Sequence, residues 1–356
     1  MKNILLAAGG HRGLLVSGPL FAALEQSGSF NVSLVSSEPP TADMALCFGF
    51  TAAASRVVDC GSPCTLARSL AAMDEAITAA GPDLVIVCGS DAPALGAALA
   101  AAELGLPVAS SDAGLRSYDR GEVEEIRRML IDTVASMYIV SEHSGEYNLI
   151  NEGIAEEGVM FAGNLVIDAL RAFMERGGAA PLAASLGLKP KQYALVLPDE
   201  NGGNGFEDAL LLMLAGLSAA TDVLVMLPDG APSSAVLRQR LEGMARVHVT
   251  ELPAYGDLLI LLRDASLLLQ GSGVLAAEAT VMNVPCMTMR ERTERPSTLE
   301  IGSNVLVGLD VEEASARMLE SLRVKKDEAR RSKIPEKWDG AAASRISAWL
   351  EERLDD

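Results

Sequence analysis

Short apolar runs alternate with segments of helical spacing along almost the whole chain. Residues 3–8 and 83–87 are apolar runs of strand length, whereas residues 66–80 and 93–104 place apolar side chains at helical intervals. The same alternation predicts further strands at 31–36, 107–111, 137–141 and 159–162, and further helices at 19–26, 122–133, 144–152 and 165–175. Residues 37–65 show no clear pattern. The first half is therefore predicted to consist of strand–helix units.

The second half repeats this alternation. Its predicted strands are 193–197, 223–227, 247–250, 266–270, 285–289 and 305–309, and its predicted helices are 206–218, 233–244, 257–264, 271–281 and one from Val311. Residues 176–190, rich in Gly, Pro and Ala, are the linker candidate. The pattern predicts an α/β fold of two doubly wound, Rossmann-like domains facing a cleft. The predicted domains are residues 1–170, with segment 341–356 packing back on them, and residues 171–340.

Charge and cysteine content narrow the possible partners. The 356 residues carry a net charge of −19 without a basic stripe, which argues against a nucleic-acid partner. The five cysteines are odd in number and lack zinc-ligand spacing, so we expect neither a metal site nor a disulfide framework. No apolar run reaches the ~18 residues of a membrane span, and the first strand is too short for a secretory signal. We therefore expect a reduced, cytoplasmic protein without a membrane partner.

Polar loops follow the predicted strands and mark a candidate site. Cys88-Gly89-Ser90-Asp91 follows one strand, and Asp112-Ala113-Gly114-Leu115-Arg116 follows the next. The glycine-rich turn Gly9-Gly10-His11-Arg12-Gly13 follows the first strand, where backbone amides can approach a phosphate. Ligands of open parallel sheets bind outside the carboxyl ends of the strands. These loops are therefore predicted to form a binding site.

Six segments carry motifs in the order and spacing of one enzyme family. They are PDLVIVCGSDAPALGAALAAAELGLPVA (82–109), DAGLRS (112–117), EEIRRMLID (124–132), GNLVIDAL (163–170), GSGVLAAEA (271–279) and ERTERPSTLEIGSNVLVG (291–308). With them the chain resembles the non-hydrolysing UDP-N-acetylglucosamine 2-epimerases, whose two Rossmann-like domains are of the glycosyltransferase-B kind. The resemblance implies a UDP-sugar as substrate, a homodimer, and no cofactor. It also implies loss of the C2 proton, elimination of UDP, and re-addition with C2 inverted.

Carried onto this chain, the family's acid–base residues match in part. The carboxylate of the family's HGDT motif aligns with Ser90, and Asp91 follows one position later. The glutamate of EAGLR is Asp112 here, one methylene shorter, and the first glutamate and the arginine of EEINR are Glu124 and Arg128. The resemblance thus implies Asp112, Glu124 and Asp91 as catalytic groups and Arg128 as a substrate-binding group.

The family's HRxEN and GTRPEAIK motifs are altered. Residues 197–201 read LPDEN and keep only the final Glu-Asn, so the motif's histidine is missing. In place of the arginine of GTRPEAIK the chain offers His11 or Arg12. Because proton transfer by one positioned group is typically worth about 10²–10⁴ in rate, we expect ordinary UDP-N-acetylglucosamine epimerisation to be weak or absent.

The nucleotide side of the resemblance is better preserved. Ser272 and Gly273 correspond to the phosphate site, Glu278 to the carboxylate that binds the ribose, and Arg295 to the arginine of the TERP motif. A diphosphate favours arginine and helix N-termini as partners. We therefore predict that the chain binds UDP at these residues.

Structural roles compete with several of these assignments. Asp91 and Asp112 each fit the N-cap of a following helix, and Glu124 fits a first-turn charge stabilised by the helix dipole. Other polar residues are predicted to be paired or structural: Arg116, Glu125, Arg127, His143 and His248. Two further functions remain open, a UDP-sugar-binding homologue that has lost the reaction and a glycosyltransferase of the same fold.

Overall fold

The computed structural model describes residues 1–177, 181–199, 202–230, 232–323 and 333–354. Two compact units divide the chain, one formed by Met1–Phe173 with Glu336–Asp356 and the other by Met174–Pro335. Each unit contains its own parallel sheet flanked by helices, which confirms the predicted class of two Rossmann-like α/β domains. Within the described residues, no helix has both the length and the apolar character needed to cross a membrane.

The first unit is built on a seven-stranded parallel sheet in the order β3-β2-β1-β4-β5-β6-β7. Its strands are β1 (Lys2–Ala8), β2 (Phe30–Ser36), β3 (Ser55–Val57), β4 (Leu84–Cys88), β5 (Val108–Ser111), β6 (Met137–Val140) and β7 (Val159–Phe161). The central strand β4 is buried along its whole length, because helices cover both faces of a parallel sheet. This burial explains its uninterrupted run of Val, Ile and Leu.

Helices α1 to α7 connect these strands. They are α1 (His11–Ser27), α2 (Ala42–Phe48), α3 (Leu66–Ala80), α4 (Ala92–Glu103), α5 (Val123–Val134), α6 (His143–Asn151) and α7 (Leu165–Glu175), with a 3₁₀ turn at Glu156–Gly158. The alanine-rich α4 packs closely on α3 and α5, since small side chains allow helices to approach. The predicted elements of this unit agree with the structure to within one or two residues, except at α1 and in residues 37–65.

The second unit contains a six-stranded parallel sheet in the order β10-β9-β8-β11-β12-β13. Its strands are β8 (Tyr193–Leu197), β9 (Asp222–Leu227), β10 (Val247–Glu251), β11 (Leu267–Gln270), β12 (Cys286–Thr288) and β13 (Asn304–Leu306). Its helices are α8 (Pro181–Ser185), α9 (Phe206–Ala220), α10 (Pro232–Leu241), α11 (Tyr255–Asp264), α12 (Ala276–Val281), α13 (Ser297–Glu300) and α14 (Val311–Arg323). A separate core of Leu, Val and Met lies between the sheet and its helices.

The last helix, α15 (Ala342–Leu354), belongs to the first unit and packs on α1. Asp168 of α7 accepts a hydrogen bond from the Ala343 N–H at 2.9 Å, which holds the first turn of α15. The Trp338 indole N–H donates to the Ser141 carbonyl at 2.9 Å, just before that helix. These buried hydrogen bonds attach the C-terminal segment to the N-terminal sheet.

Two predicted helix starts were wrong, and two segments contain elements that the sequence pattern did not predict. Helix α1 begins at His11 rather than at residue 19, because Gly13 allows the helix to approach the Cys88 carbonyl closely. Residues 37–65 contain α2 and β3, and the linker candidate contains α8; residues 178–180 of that linker lie outside the described residues. Helix α12 begins at Ala276 rather than at Gly271, since Gly273 has a φ of +79°.

In each sheet the strand order reverses once, so that successive strands are added first towards one edge and then towards the other. In the first unit the change lies between β1 and β4, and in the second between β8 and β11. Loops leaving such a pair of strands diverge to opposite faces of the sheet and open a crevice at its carboxyl edge. The loops after β1, β4, β8 and β11 are therefore where a ligand site is expected.

Candidate functional site

At the switch point of the first unit, the loops after β1 and β4 are hydrogen-bonded to each other. Asp91 Oδ2 accepts from the Gly10 N–H at 2.6 Å, and Asp91 Oδ1 accepts from the Ala94 N–H at 3.0 Å. Asp91 therefore caps α4, which confirms the structural alternative for this residue. A Cβ added to Gly9 would lie 1.8 Å from the Asp91 carboxylate oxygens, so only glycine fits there. A catalytic role for Asp91 stays a prediction.

His11 and Arg12 occupy the first turn of α1, next to this carboxylate contact. Desolvation lowers the pKa of the His11 imidazole, against the opposing influence of the Asp43 carboxylate. A neutral imidazole can accept or donate one proton, whereas a guanidinium is a permanent cation. Which of the two corresponds to the family's arginine stays a prediction.

Asp112 follows β5 directly and has a left-handed backbone, with φ of +55°. Because Asp tolerates this conformation better than most residues, the chain turns sharply at the sheet edge. Helix α5 begins at Val123 with Glu122 at its N-cap, so Asp112 is not the cap of that helix. The turn leaves Asp112 partly exposed at the carboxyl edge of the sheet.

Asp132 of α5 anchors the loop that Asp112 begins. Its Oδ1 accepts from the Ser110 hydroxyl at 2.8 Å, and its Oδ2 accepts from the Gly114 N–H at 3.0 Å. Arg116 lies 2.8 Å from the same Oδ2 and also makes a two-pronged contact with Glu152, at 2.9 and 2.7 Å. The prediction that Arg116 is a paired charge is confirmed. The loop is thus held by an ionic network in which Arg116 and Asp132 are buried and Glu152 is partly exposed.

Glu125 holds the far end of the same loop. Its buried carboxylate accepts from the Ser117 N–H at 2.9 Å and the Tyr118 N–H at 3.0 Å, and pairs with Arg128 at 3.0 Å. Burial works to raise the pKa of Glu125, but these hydrogen bonds outweigh it and hold the pKa below its usual range. Arg128 therefore has a structural partner in addition to its predicted substrate-binding role.

Glu124 is the one carboxylate of the EEIRR segment that reaches solvent. Its side chain is 64% exposed and lies 3.8 Å from Arg128, one helical turn further on. That distance is too long for a strong ion pair, so Glu124 keeps the freedom to contact a ligand. The neighbouring Glu125 is buried, with a relative exposure of 1%. Adjacent glutamates in one helix thus differ in environment because they point to different faces.

At the switch point of the second unit, the loop after β8 contacts two other loops. Asp199 lies 3.2 Å from Arg290, and a Cβ added to Gly271 would lie 2.4 Å from the Asp199 backbone. Asp199, in the loop after β8, thus contacts the loops that follow β11 and β12. The retained Glu200 and Asn201 lie outside the described residues.

The Gly-Ser-Gly turn follows β11, where it was predicted. Its Ser272 and Gly273 are partly exposed, and Gly273 has a backbone conformation that favours glycine. Leu275 donates its N–H to the Gln270 side-chain oxygen at 3.0 Å, which fixes the path of the turn. Because α12 starts only at Ala276, the turn itself, rather than the first residues of a helix, presents the polar groups.

Glu278 is fully buried in α12 and accepts a hydrogen bond from the Tyr255 hydroxyl at 3.0 Å. Tyr255 is the first residue of α11 and is itself buried. The structure therefore places the predicted ribose-binding carboxylate inside the unit, on the helix that follows the Gly-Ser-Gly turn.

Arg295 is buried in the loop after β12 and belongs to a chain of neutral hydrogen bonds. Its carbonyl accepts from the Thr298 hydroxyl at 2.8 Å. Further hydrogen bonds lead from that hydroxyl back to β11 in three steps: Asn304 Nδ2 to Thr298 Oγ1 at 3.3 Å, Thr288 Oγ1 to Asn304 Oδ1 at 2.8 Å, and Gln270 Nε2 to Thr288 Oγ1 at 3.3 Å. The four side chains that make these hydrogen bonds are all buried. These hydrogen bonds therefore couple the Arg295 loop to β11, the strand that precedes Ser272.

Sequence reasoning missed the residues that hold these loops. Asp132 accepts a hydrogen bond from the loop that Asp112 begins, and the Thr288–Asn304 hydrogen bond helps to hold the Arg295 loop. In each of these hydrogen bonds the donor and the acceptor lie far apart in sequence. The pattern of α5 gave no clear signal for Asp132, because two of the three buried residues of this helix, Glu125 and Asp132, are acidic and only Ile131 is apolar. Across the described residues, no three His, Cys, Asp or Glu side chains converge in a way that could hold a metal ion.

Comparison with known proteins matches both the motifs and the fold. The sequence profile of the family described as UDP-N-acetylglucosamine 2-epimerase matches residues 62–351. The UDP-N-acetylglucosamine 2-epimerase of Methanococcus maripaludis is 30% identical over 256 residues, which cover 69% of this chain and 70% of that protein. The UDP-2,3-diacetamido-2,3-dideoxy-D-glucuronate 2-epimerase of Pseudomonas aeruginosa is 29% identical over 290 residues, 80% of this chain and 78% of that protein.

A solved structure of MnaA from S. aureus with UDP has the same fold. Its TM-score is 0.89 over 100% of this chain and 97% of that chain, at 23% sequence identity. The profile match extends over most of the chain and confirms the resemblance predicted from the six motif segments. The chain therefore belongs to the UDP-N-acetylglucosamine 2-epimerase family.

Proposed function

We propose that this chain binds a UDP-sugar and acts as an isomerase that inverts C2 of the sugar. The observation that carries the proposal is that Ser272 and Glu278 follow β11, a strand of the topological switch point, while the buried Arg295 follows the neighbouring strand β12 at the same edge of the sheet. A guanidinium suits a diphosphate, which accepts several hydrogen bonds at once, and the backbone N–H groups of a glycine turn suit the same ligand. Glu278 is the proposed partner of the ribose hydroxyls.

The proposed reaction removes the C2 proton, eliminates UDP, and adds both back on the opposite face. Asp112 and Glu124 are the proposed proton-transfer groups, because both are carboxylates that reach solvent on the first unit. UDP leaves with its charge balanced by Arg295, and the same arginine holds it for return. Arg128 and either His11 or Arg12 are the proposed contacts to the sugar and phosphate.

Activity on UDP-N-acetylglucosamine itself is proposed to be weak. Asp112 is shorter than glutamate by about 1.5 Å, and displacements near 1 Å can cost on the order of 100-fold in rate. Asp91 already caps α4 and accepts hydrogen bonds from two backbone N–H groups, so its carboxylate has a structural role that competes with a catalytic one. A different UDP-sugar whose C2 lies nearer Asp112 is therefore the favoured substrate. The Pseudomonas aeruginosa relative is named for a diacetamido uronate, which illustrates such a change.

Proton exchange at C2 tests the proposal. The protein is incubated in heavy water with UDP-N-acetylglucosamine and, in parallel, with a 2,3-diacetamido UDP-sugar, and the C2 proton is followed by NMR. We expect slow or no exchange with the first and faster exchange, together with the C2 epimer, for a better substrate. Asp112→Asn should abolish the exchange while leaving UDP binding unchanged.

A second reading, a binding protein that has lost the reaction, rests on the altered residues at Ser90, Asp112 and 197–201. UDP binding without exchange on either sugar would favour it over the isomerase. Transfer of the sugar to an acceptor, with release of UDP, would instead favour a glycosyltransferase of this fold.

A cytoplasmic homodimer is proposed as the working form. Five free cysteines suit a reducing compartment, and members of a family often share an assembly. Cell fractionation and sedimentation equilibrium measure these two properties. Recovery of the chain in an exported fraction, or a monomer at all concentrations, would contradict them.

A further inference from the structure

Arg290 and Asp199 form an ion pair at the carboxyl edge of the second sheet. Arg290 lies in the loop after β12 and Asp199 in the loop after β8, and Arg290 Nη2 donates to Asp199 Oδ2 at 3.2 Å. The Asp199 side chain is 12% exposed, whereas that of Arg290 is 31% exposed. The carboxylate is thus largely covered, and the guanidinium reaches solvent at the edge where ligands of open parallel sheets bind.

Two contacts place this ion pair beside the Gly-Ser-Gly turn. A Cβ added to Gly271, the first residue of the turn, would lie 2.4 Å from the backbone nitrogen of Asp199. The Met289 N–H donates to the Gln270 carbonyl at 2.8 Å, which fixes the residue before Arg290 to the residue before the turn. Arg290 is therefore held next to the turn that the proposed diphosphate contacts.

Another ion pair of the same unit lies at the opposite edge of the sheet. Arg246 Nε lies 3.1 Å from Asp222 Oδ1, and Asp222 is the first residue of β9. Both side chains are well exposed, and exposed pairs of this kind contribute little to stability. The two pairs join the same residue types at similar distances. They differ in their position relative to the edge at which a ligand is expected.

The diphosphate of a UDP-sugar carries more negative charge than Arg295 alone balances. It is a dianion, and it gains a further negative charge when its bond to the sugar breaks. Glu294 Oε1 lies 4.0 Å from Arg295 Nε, which weakens the positive potential of that guanidinium at the ligand. A second cation at the same edge would stabilise both the bound diphosphate and the departing one.

We propose that Arg290 is a second cationic contact for the diphosphate and that Asp199 is its competing counter-ion. This inference rests on the proposed binding of a UDP-sugar by this unit. A guanidinium carries several N–H donors, so Arg290 can bond a phosphate oxygen while it keeps one hydrogen bond to Asp199. Asp199 opposes the ligand in two ways, because its carboxylate repels the phosphates and attracts the arginine. Arg290 therefore raises the affinity for UDP, and Asp199 lowers it.

Isothermal titration calorimetry with UDP tests the proposal on the full-length protein. Arg290→Ala should weaken UDP binding about ten-fold, the lower end of the range for a hydrogen bond to a charged group, because the guanidinium is partly exposed. Asp199→Asn keeps an acceptor for the arginine but removes the negative charge, so it should tighten UDP binding on the order of three-fold. Arg290→Lys keeps the charge without the planar fork and should fall between the wild type and Arg290→Ala.

The ion pair at the opposite edge supplies the matched controls. Arg246→Ala and Asp222→Asn change the net charge of the protein by the same amounts, and both should bind UDP as the wild type does. Opposite signs for Arg290→Ala and Asp199→Asn separate a role in binding from a role in the fold. A purely structural pair predicts that both substitutions weaken UDP binding or that both leave it unchanged.

Three outcomes would overturn the proposal. Equal UDP affinity in the wild type and Arg290→Ala would remove Arg290 from the site and leave the proposed function intact. Weaker UDP binding by Asp199→Asn would make the pair structural. A wild type that does not bind UDP would overturn the proposed function, and this inference with it. Should Arg290→Ala fail to fold, as judged by circular dichroism, Arg290→Lys and Asp199→Asn decide between these outcomes.

Discussion

The two units hold their candidate loops by opposite means. In the first unit the loop after β5 is anchored by buried acidic and basic side chains, with Asp132 and Glu125 accepting its backbone N–H groups and Arg116 paired to Asp132. In the second unit the loops after β11 and β12 are joined by buried neutral side chains: Gln270, Thr288, Asn304 and Thr298. An ionised network fails when one charge is removed, whereas a neutral one loses a single hydrogen bond.

This difference bears on the residues proposed for function in each unit. The proposed proton transfer by Asp112 needs a carboxylate of defined charge, and Asp112 lies on the loop that the ionic network holds. The proposed diphosphate binding in the second unit needs a fixed cation, and the neutral network holds the loop of Arg295 through the backbone carbonyl of that residue. The predictions below run from the largest expected effect to the smallest.

Removing Arg116 should damage the ionic network most. Arg116→Ala leaves Asp132 buried without its cation, which typically costs about 3–5 kcal/mol of unfolding free energy. The change is measured by urea unfolding followed by circular dichroism. Arg56→Ala is the matched control, since Arg56 pairs with Glu75 at an exposed position and should cost less than about 1 kcal/mol. Equal losses in the two variants would refute the importance of burial.

Asp168 should make the first unit sensitive to pH. Burial raises the pKa of Asp168 to about 6, so the folded state binds its proton more tightly than the unfolded state. The resulting stability is fully present below about pH 4 and is lost as the pH rises through about 6, an effect of about 3 kcal/mol. Asp168→Asn should remove this falling slope from unfolding curves measured across that range.

Asp339 provides a control of opposite sign. Its hydrogen bond with Arg345 lowers the pKa of Asp339, so the associated stability is present at neutral pH and is lost as the pH falls. Asp339→Asn should therefore flatten the acidic side of the curve. Parallel curves for the wild type and Asp168→Asn would show that the buried carboxyl does not titrate as described.

Arg295 should dominate UDP affinity in the second unit. Arg295→Ala removes the buried guanidinium and should weaken UDP binding by about 1.5–3 kcal/mol, the range for a hydrogen bond to a charged group. Isothermal titration calorimetry measures the affinity. Arg292→Ala, exposed in the same loop, should bind UDP nearly as the wild type does. Unchanged affinity in Arg295→Ala would remove this residue from the proposed site.

Breaking the neutral chain should have a smaller effect. Thr288→Val keeps the shape but loses the hydrogen bonds with Asn304 and Gln270, at a cost of about 1–2 kcal/mol in unfolding free energy. The loss should be independent of pH, in contrast to that of Asp168→Asn. Thr250→Val in the edge strand β10 is the control and should change stability by less than about 0.5 kcal/mol. A loss of unfolding free energy in Thr288→Val that depends on pH would contradict the contrast between the neutral and the ionised network.

An exposed ion pair should show the smallest effect. His143 lies 3.0 Å from Glu336 and 3.3 Å from Glu146, and the hydrogen bond to Glu336 raises the pKa of His143. The pair contributes below the unfolded pKa of the imidazole and is lost as the pH rises through the folded value. Glu336→Gln should lower the pKa of His143 in an NMR titration, without a marked change in unfolding. An unchanged pKa would show that the pair is absent in solution.

Local pattern was sufficient for most elements of the fold. Strands such as β4 and β8 were predicted because buried parallel strands are continuously apolar, and α3 and α7 because their apolar side chains recur at helical spacing. The local pattern did not predict the elements in residues 37–65, since α2 and β3 are short and β3 is mostly exposed at the sheet edge. The start of α1 was missed because glycine normally weakens a helix, and only a tight contact with β4 explains Gly13.

The sequence by itself determined the alternation of strands and helices, the family, and which loops carry polar residues, because these depend on neighbours along the chain. Only the tertiary structure decided that Asp91 accepts a hydrogen bond from the Gly10 N–H, 81 positions away, and that Asp132 rather than Asp112 anchors the loop after β5. It also decided that Glu125 is buried while Glu124 is exposed. The reason is physical: strand order at the switch points sets which loops meet, and burial sets which carboxylates are held by hydrogen bonds.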